Sequence, residues 1–223
     1  PVTITPIYSW PSLKSAIRSG ITIKNKINLG TYAILHTNHL LNKFTYAYKM
    51  LNKSSIILTD SKAEKNEILK SFKLNNNKFK IAHYGVDKRF YKANKKEFAN
   101  KYNTEDFLLY TGRIEPRKNV LTLIKITNKL NLPLVIIGNK NYQDGDYYYD
   151  LCKKAAKKNV TFIDRIDHES SLLASAYSVA RAVVLPSWLE NKWLMALEGG
   201  LDGAKVLVKS RGSAKEYFEY YAL

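Results

Sequence analysis

The chain holds a single cysteine, Cys152, in 223 residues. That excludes an internal disulfide and fits a reducing, cytoplasmic setting. No apolar run approaches the roughly 18 residues that a membrane-crossing helix requires, so none is expected. No signal peptide is expected either, although the chain opens on Pro1 rather than Met. The phosphate-loop pattern Gly-x4-Gly-Lys-Ser/Thr is absent, which argues against an NTPase of that class. Acidic residues are scarce: 19 Asp and Glu stand against 36 Lys and Arg, a formal charge of +17. The scarcity is uneven. Residues 1–103 carry 19 basic and 5 acidic side chains, a balance of +14, and residues 104–223 carry 17 and 14, a balance of +3. A basic first half suits an anionic surface such as membrane lipid, nucleic acid or a phosphorylated acceptor molecule. A Lys-rich solvated surface accounts for the charge equally well. Nucleic acid is disfavoured, because helix-turn-helix, zinc-site and paired aromatic strand signatures are all missing.

What is present is an alternation. Short apolar runs read as strands at Thr31–Leu35, Ser54–Thr59, Phe79–His83, Phe107–Tyr110, Leu134–Ile137, Val160–Ile163, Ala182–Leu185 and Lys205–Val208. Helical stretches separate them, at 11–19, 40–51, 62–72, 116–130, 149–158, 170–180, 192–202 and from Ala214 onward. Strands alternating with helices of 10–12 residues mean crossover units and a parallel sheet, an α/β fold. Residues 88–103 are polar and basic and read as an inter-domain link. Two Rossmann-like domains are therefore expected: a reduced N-terminal one over 1–100 and a C-terminal one over 101–223.

The chemistry-bearing residues gather at the carboxyl ends of strands, where open α/β sheets bind ligands. Gly112-Arg113-x4-Lys118 follows a strand. Its glycine permits a tight turn, and its two cations suit phosphate oxygens; a solvated basic loop is the competing reading. Pro186-Ser187-x2-Glu190-x7-Glu198 follows another strand. It sets one carboxylate before a helix and one inside it, roughly 10 Å apart at the helical rise. That separation is too long for a shared proton and suits opposite ends of an elongated polar ligand. The helix start between them favours phosphate.

Together with Phe162-Ile163-Asp164-Arg165-Ile166 and Gly212-x3-Glu216, these motifs resemble, in order and spacing, the nucleotide-sugar half of family 4 retaining glycosyltransferases, of the GT-B fold. Leu58-Thr59-Asp60-Ser61 and Tyr84-Gly85-Val86-Asp87-x2-Phe90 in the first half resemble that family too, as does His36 at a strand end. The resemblance implies a retaining, metal-independent sugar transfer from a nucleotide-sugar donor of the UDP or GDP type, with no further cofactor. By that resemblance Arg113 and Lys118 would bind the donor diphosphate and Glu190 the transferred sugar. Glu198 would hold the ribose, and backbone around Arg165 and Ile166 would read the base. His36 would line the reaction face, and Gly112, Leu194 and Met195 would complete the donor site. The acceptor is unnamed; a lipid-linked or protein acceptor would each fit, the former with peripheral docking on anionic membrane. A homodimer through the tyrosine clusters is a minority reading beside plain packing.

The sequence also departs from the family pattern. Asn191-Lys192-Trp193 stands where the family usually has Gly-Phe-Gly, Asp164 where it has Gly, and Lys205 where it has Pro. A C-terminal helix returning to the first domain is not evident. A non-catalytic nucleotide-sugar binder, or a basic nucleic-acid or anionic-surface module, are the alternatives. Asp144-Gly-Asp146 reads as a solvated turn rather than a metal site. His39, His83 and His168 read as structural or surface residues, and Cys152 as inert.

Overall fold

The computed structural model describes residues 37–140, 147–188, 190, 193–209 and 212–218. Contacts group the chain into two units. One comprises 1–84 with 189–192 and 210–223; the other comprises 85–188 with 193–209. The helix expected at 11–19 and the strand at 31–35 lie outside the described residues.

In the first unit, α1 (Thr37–Lys53) leads to β1 (Ile57–Thr59), α2 (Lys62–Ser71) and β2 (Phe79–Ile81). The two strands pair in parallel, Leu58 opposite Lys80. Leu51, Ile57, Ile68 and Phe79 bury together as a small core. The α2 start is signalled locally: the Ser61 hydroxyl accepts from the Glu64 backbone N–H at 3.1 Å, the cap that Ser favours at this position.

The second unit opens on a 3-10 turn (Lys88–Phe90) and α3 (Lys95–Tyr102). It then builds a five-stranded sheet from β3 (Leu108–Thr111), β4 (Leu134–Ile137), β5 (Val160–Ile163), β6 (Ala182–Leu185) and β7 (Lys205–Val208). The connecting helices are α4 (Val120–Leu130), α5 (Tyr147–Ala155), α6 (Ser171–Val179) and α7 (Leu194–Leu201). Every pairing is parallel, in the order β5-β4-β3-β6-β7. β4 is buried along its whole length, as a strand covered on both faces must be. Its continuous Leu-Val-Ile-Ile run follows from that. The chain winds outward from β3 through β4 to β5, then returns to lay β6 on the other side of β3. The carboxyl ends of β3 and β6 therefore form the topological switch point, the place where such sheets bind ligands.

The stretch expected as a link falls inside the second unit, which starts at residue 85. Residues 88–103 are not a link. They group with the second unit, and both of their phenylalanines are fully buried: Phe90 and Phe98 are both 0% exposed. Burying a phenylalanine contributes about 1.5–3 kcal/mol, while the surrounding lysines keep their charged ends in water. The Phe98 N–H donates to the Ser175 hydroxyl on α6 at 2.9 Å, and that hydroxyl donates in turn to the Asn94 carbonyl. Phe90 packs edge-to-face on Tyr177, ring centres 5.5 Å apart.

A further helix among the described residues, α8 (Ala214–Phe218), starts at Ala214 as expected and groups with the first unit. The Glu216 carboxylate accepts from the Lys62 N–H at 2.9 Å and the Ala63 N–H at 3.4 Å, at the start of α2. A helix start offers just such unpaired donors and a partial positive charge. The Tyr217 hydroxyl donates to the Asp60 carbonyl at 2.8 Å and accepts from the Tyr84 N–H at 3.3 Å.

Candidate donor site

Two loops meet at the switch point of the second unit. The first leaves β3 through Gly112 and runs over a 3-10 turn, Pro116–Lys118, into α4. The second leaves β6 through Pro186, Ser187 and Trp188. Main-chain geometry ties them together. The Trp188 N–H donates to the Arg117 carbonyl at 2.9 Å, and the Asn119 amide donates to the Pro186 carbonyl at 3.2 Å. Asn119 adopts a left-handed conformation, φ 57°, immediately before α4, a geometry that asparagine tolerates better than most residues. The turn at the end of β3 is equally specified. Gly112 has φ 133° and Gly138, at the end of β4, has φ 155°. Both are suited to glycine.

Arg113 is mostly exposed, and its guanidinium lies 3.6 Å from the buried Glu115 carboxylate. Arg117 donates twice to the same carboxylate, at 3.1 and 2.9 Å. A buried carboxylate must be paired, so Glu115 is an organiser that holds two cations at one turn. Lys118 is half-buried at the end of that turn. The Tyr148 hydroxyl on α5 accepts from the Leu121 N–H at 3.0 Å, satisfying one free donor of the α4 start. Burial raises the Tyr148 phenol above its ordinary range, so it stays protonated.

Glu198 lies on α7 with only 6% of its side chain exposed. Both of its oxygens have protein donors: Tyr177 at 2.8 Å and His168 Nε2 at 2.8 Å. The Tyr177 phenol sits 2.8 Å from the Thr111 hydroxyl. Its one proton goes to Glu198, so Thr111 donates to it. Burial, then the neighbouring Glu198 charge, push the Tyr177 phenol well above its usual value, and it remains a donor at any working pH. The chain Thr111, Tyr177, Glu198, His168 thus links the end of β3 to α6, α7 and the loop after β5. His168 was read as a structural or surface residue and Tyr177 was passed over; only the three-dimensional contact reveals them. Had α6 been drawn with Tyr177 on its sheet-facing side, the phenol would have pointed to a buried polar partner.

The Arg165 N–H, after β5, donates to the Asn139 side chain at 2.9 Å. Arg165 itself is exposed and Ile166 half-buried. Leu194 and Met195 form the first turn of α7, both half-buried. Gly112, Arg113, Lys118, Arg165, Ile166, Leu194, Met195 and Glu198 all belong to the second unit. Glu190 is half-buried and groups with the first. His36, Asp144 and Asp146 lie outside the described residues.

The family model described as Glycosyl transferases group 1 matches residues 92–221. An uncharacterized glycosyltransferase of Methanocaldococcus jannaschii is 28% identical over 186 residues, covering 78% of this chain and 47% of that protein. O-antigen chain mannosyltransferase B of Escherichia coli is 23% identical over 228 residues, covering 94% and 58%. The chain thus spans about half the length of the curated relatives it matches. Among solved structures, a sucrose-phosphate synthase from Thermosynechococcus elongatus gives a TM-score of 0.70 at 22% identity, covering 79% of this chain and 46% of that one. Anabaena HepE in complex with UDP and glucose gives 0.66 at 15% identity, covering 78% and 50%. These likenesses support the α/β, parallel-sheet fold of GT-B glycosyltransferases.

Proposed function

Because this chain belongs to the glycosyl transferases group 1 family, we propose that it carries the donor half of a retaining, metal-independent sugar transfer from a nucleotide-sugar. The observation that carries the reading is the switch point. The loops bearing Arg113, Lys118 and Trp188 are hydrogen-bonded to each other there. One strand-end away, the buried Glu198 is held by two donors.

In this reading Arg113 and Lys118 meet the diphosphate. Glycosyl transfer passes through an oxocarbenium-like centre with a departing anion. The leaving group gains charge as the bond breaks, so fixed cations there favour the transition state over the ground state. Glu115 keeps Arg113 near the turn. Glu198 accepts from the ribose hydroxyls, and backbone around Arg165 and Ile166 meets the base, with Gly112, Leu194 and Met195 around them. Glu190 contacts the sugar hydroxyls and His36 the reaction face. The donor is of UDP or GDP type; HepE, a structural neighbour, was solved with UDP and with UDP-glucose. The acceptor is lipid-linked or a protein. Among the described residues no helix is long and apolar enough to cross a membrane. A thermal-shift panel of UDP, GDP and ADP tests the donor site. Stabilisation by at least one at millimolar concentration is expected; none by any of the three sinks the reading.

A second reading is a nucleotide-sugar binder without turnover. Trp193 is 3% exposed, a large buried side chain where the family pattern has a glycine. Diphosphate binding with no donor hydrolysis or transfer across a panel of sugars would favour it.

A further inference from the structure

We propose that His168 is a positioning residue that sets this chain's grip on the ribose of its nucleotide, through Glu198. The inference rests on the donor-site reading above and goes beyond it by assigning a residue that no family motif singles out.

The argument begins with Glu198. A carboxylate accepts at two oxygens and has about four lone-pair sites. Tyr177 and His168 occupy one on each oxygen, at 2.8 Å in both cases. One site per oxygen remains for a ligand, which matches a pair of vicinal hydroxyls. The two donors differ in kind. Tyr177 is buried in α6 and braced by Thr111. His168 lies in the loop between β5 and α6, and 56% of its side chain is exposed. An exposed loop imidazole contributes little by burial, yet it is aimed at the buried Glu198 carboxylate. Phe90 holds both donors, its ring centre 5.4 Å from that of His168 and 5.5 Å from that of Tyr177.

The consequence is geometric. With Tyr177 alone, the carboxylate can swing about its bond to the phenol. With His168 on the other oxygen, its plane is fixed before any ligand arrives. A donor hydrogen bond to such an anion supports roughly tenfold in affinity. The loss should fall on the ribose hydroxyls alone, because His168 reaches the ligand only through Glu198. Nε2 must carry the proton, since the carboxylate only accepts. Glutamine, which also offers an N–H at the end of its side chain, should replace it in part; alanine should not.

The test is calorimetry of the full chain with uridine and guanosine 5′-diphosphates and their 2′,3′-dideoxy forms, for wild type, His168→Ala and His168→Gln. Wild type should bind the ribose form of its preferred base about tenfold or more tighter than the dideoxy form. His168→Ala should lose most of that ratio while keeping dideoxy affinity, and His168→Gln should recover part of it. An unchanged ratio in His168→Ala, in a wild type that discriminates, overturns the role of His168 and leaves the donor site standing. An equal loss for both ligands marks a structural role only and also overturns the proposal. A wild type that binds both forms alike takes the ribose away from Glu198 and overturns the proposal while the diphosphate site stands; one that binds none of these diphosphates overturns the donor-site reading itself.

Discussion

A Cβ on Gly138 would stand 1.9 Å from the carbonyl oxygen of Gly112. The two glycines end adjacent strands, and the Gly112 N–H donates to the Ile137 carbonyl at 2.9 Å. Gly138 therefore cannot gain a methyl group unless the turn that carries Arg113 moves. Its φ of 155° adds a conformational cost for any other residue. Gly138→Ala is expected to lower stability by about 2–4 kcal/mol, combining overpacking with backbone strain. It should also weaken diphosphate binding. A urea midpoint and a binding affinity both equal to wild type would show that the apposition is dispensable.

A second close approach sits beside Glu198. A Cβ on Gly199 would lie 2.4 Å from Val183 Cγ2 and 3.3 Å from Tyr177 Cδ1. The glycine lets α7 rest directly on β6, and that seat places the neighbouring Glu198 against Tyr177. Gly199→Ala should cost about 1–3 kcal/mol. Pairing it with Val183→Ala should recover part of the loss, because the smaller side chain makes room. Chemical denaturation of the two single variants and the double variant reads this directly, and strict additivity would argue against the contact.

How much of this was legible in the sequence depended on whether the signal was local. β4, β5, β6 and β7 have the bounds their apolar runs announced, because each run is short and flanked by polar or turn residues. Residues 88–103 misled because lysine content dominates composition while two phenylalanines decide the burial. α8 was expected as a helix from Ala214, but its docking was not, because the groups that Glu216 and Tyr217 bond lie about 155 residues earlier. The cations of the 113–118 turn were legible from their spacing. The organiser Glu115 was not singled out, although it lies in the same turn, because burial of a single glutamate leaves no pattern. Tyr177 and His168 reach Glu198 across 21 and 30 residues, and no spacing rule records such a contact.

The lone thiol gives a check on the packing of the second unit. Cys152 is fully buried, and burial pushes its thiol up to about 12. Only the thiolate attacks disulfide reagents. At pH 8 the raised value leaves about one thiolate in ten thousand. A thiol-specific chromogenic reagent should therefore label the native chain at a rate set by unfolding, and label it at once in denaturant. Rapid native labelling would mean that α5 does not seal Cys152 as described.

The roles proposed for Lys118 and Glu190 separate under mutation. Lys118 is assigned to the departing diphosphate, where charge develops as the glycosidic bond breaks. Removing one such electrostatic contact costs roughly 3 kcal/mol, on the order of a hundredfold in rate. Lys118→Ala should therefore lower kcat strongly for donor hydrolysis and also weaken nucleoside diphosphate binding. Glu190 is assigned to the sugar. Glu190→Gln should lower turnover by well over tenfold while leaving the affinity for the bare diphosphate close to wild type, because the diphosphate has no sugar to contact. Calorimetry with the diphosphate beside steady-state hydrolysis of the sugar donor distinguishes the two. Equal effects of both variants on bare diphosphate binding would remove the division between a phosphate end and a sugar end. Wild-type rates in both would remove the assignments themselves.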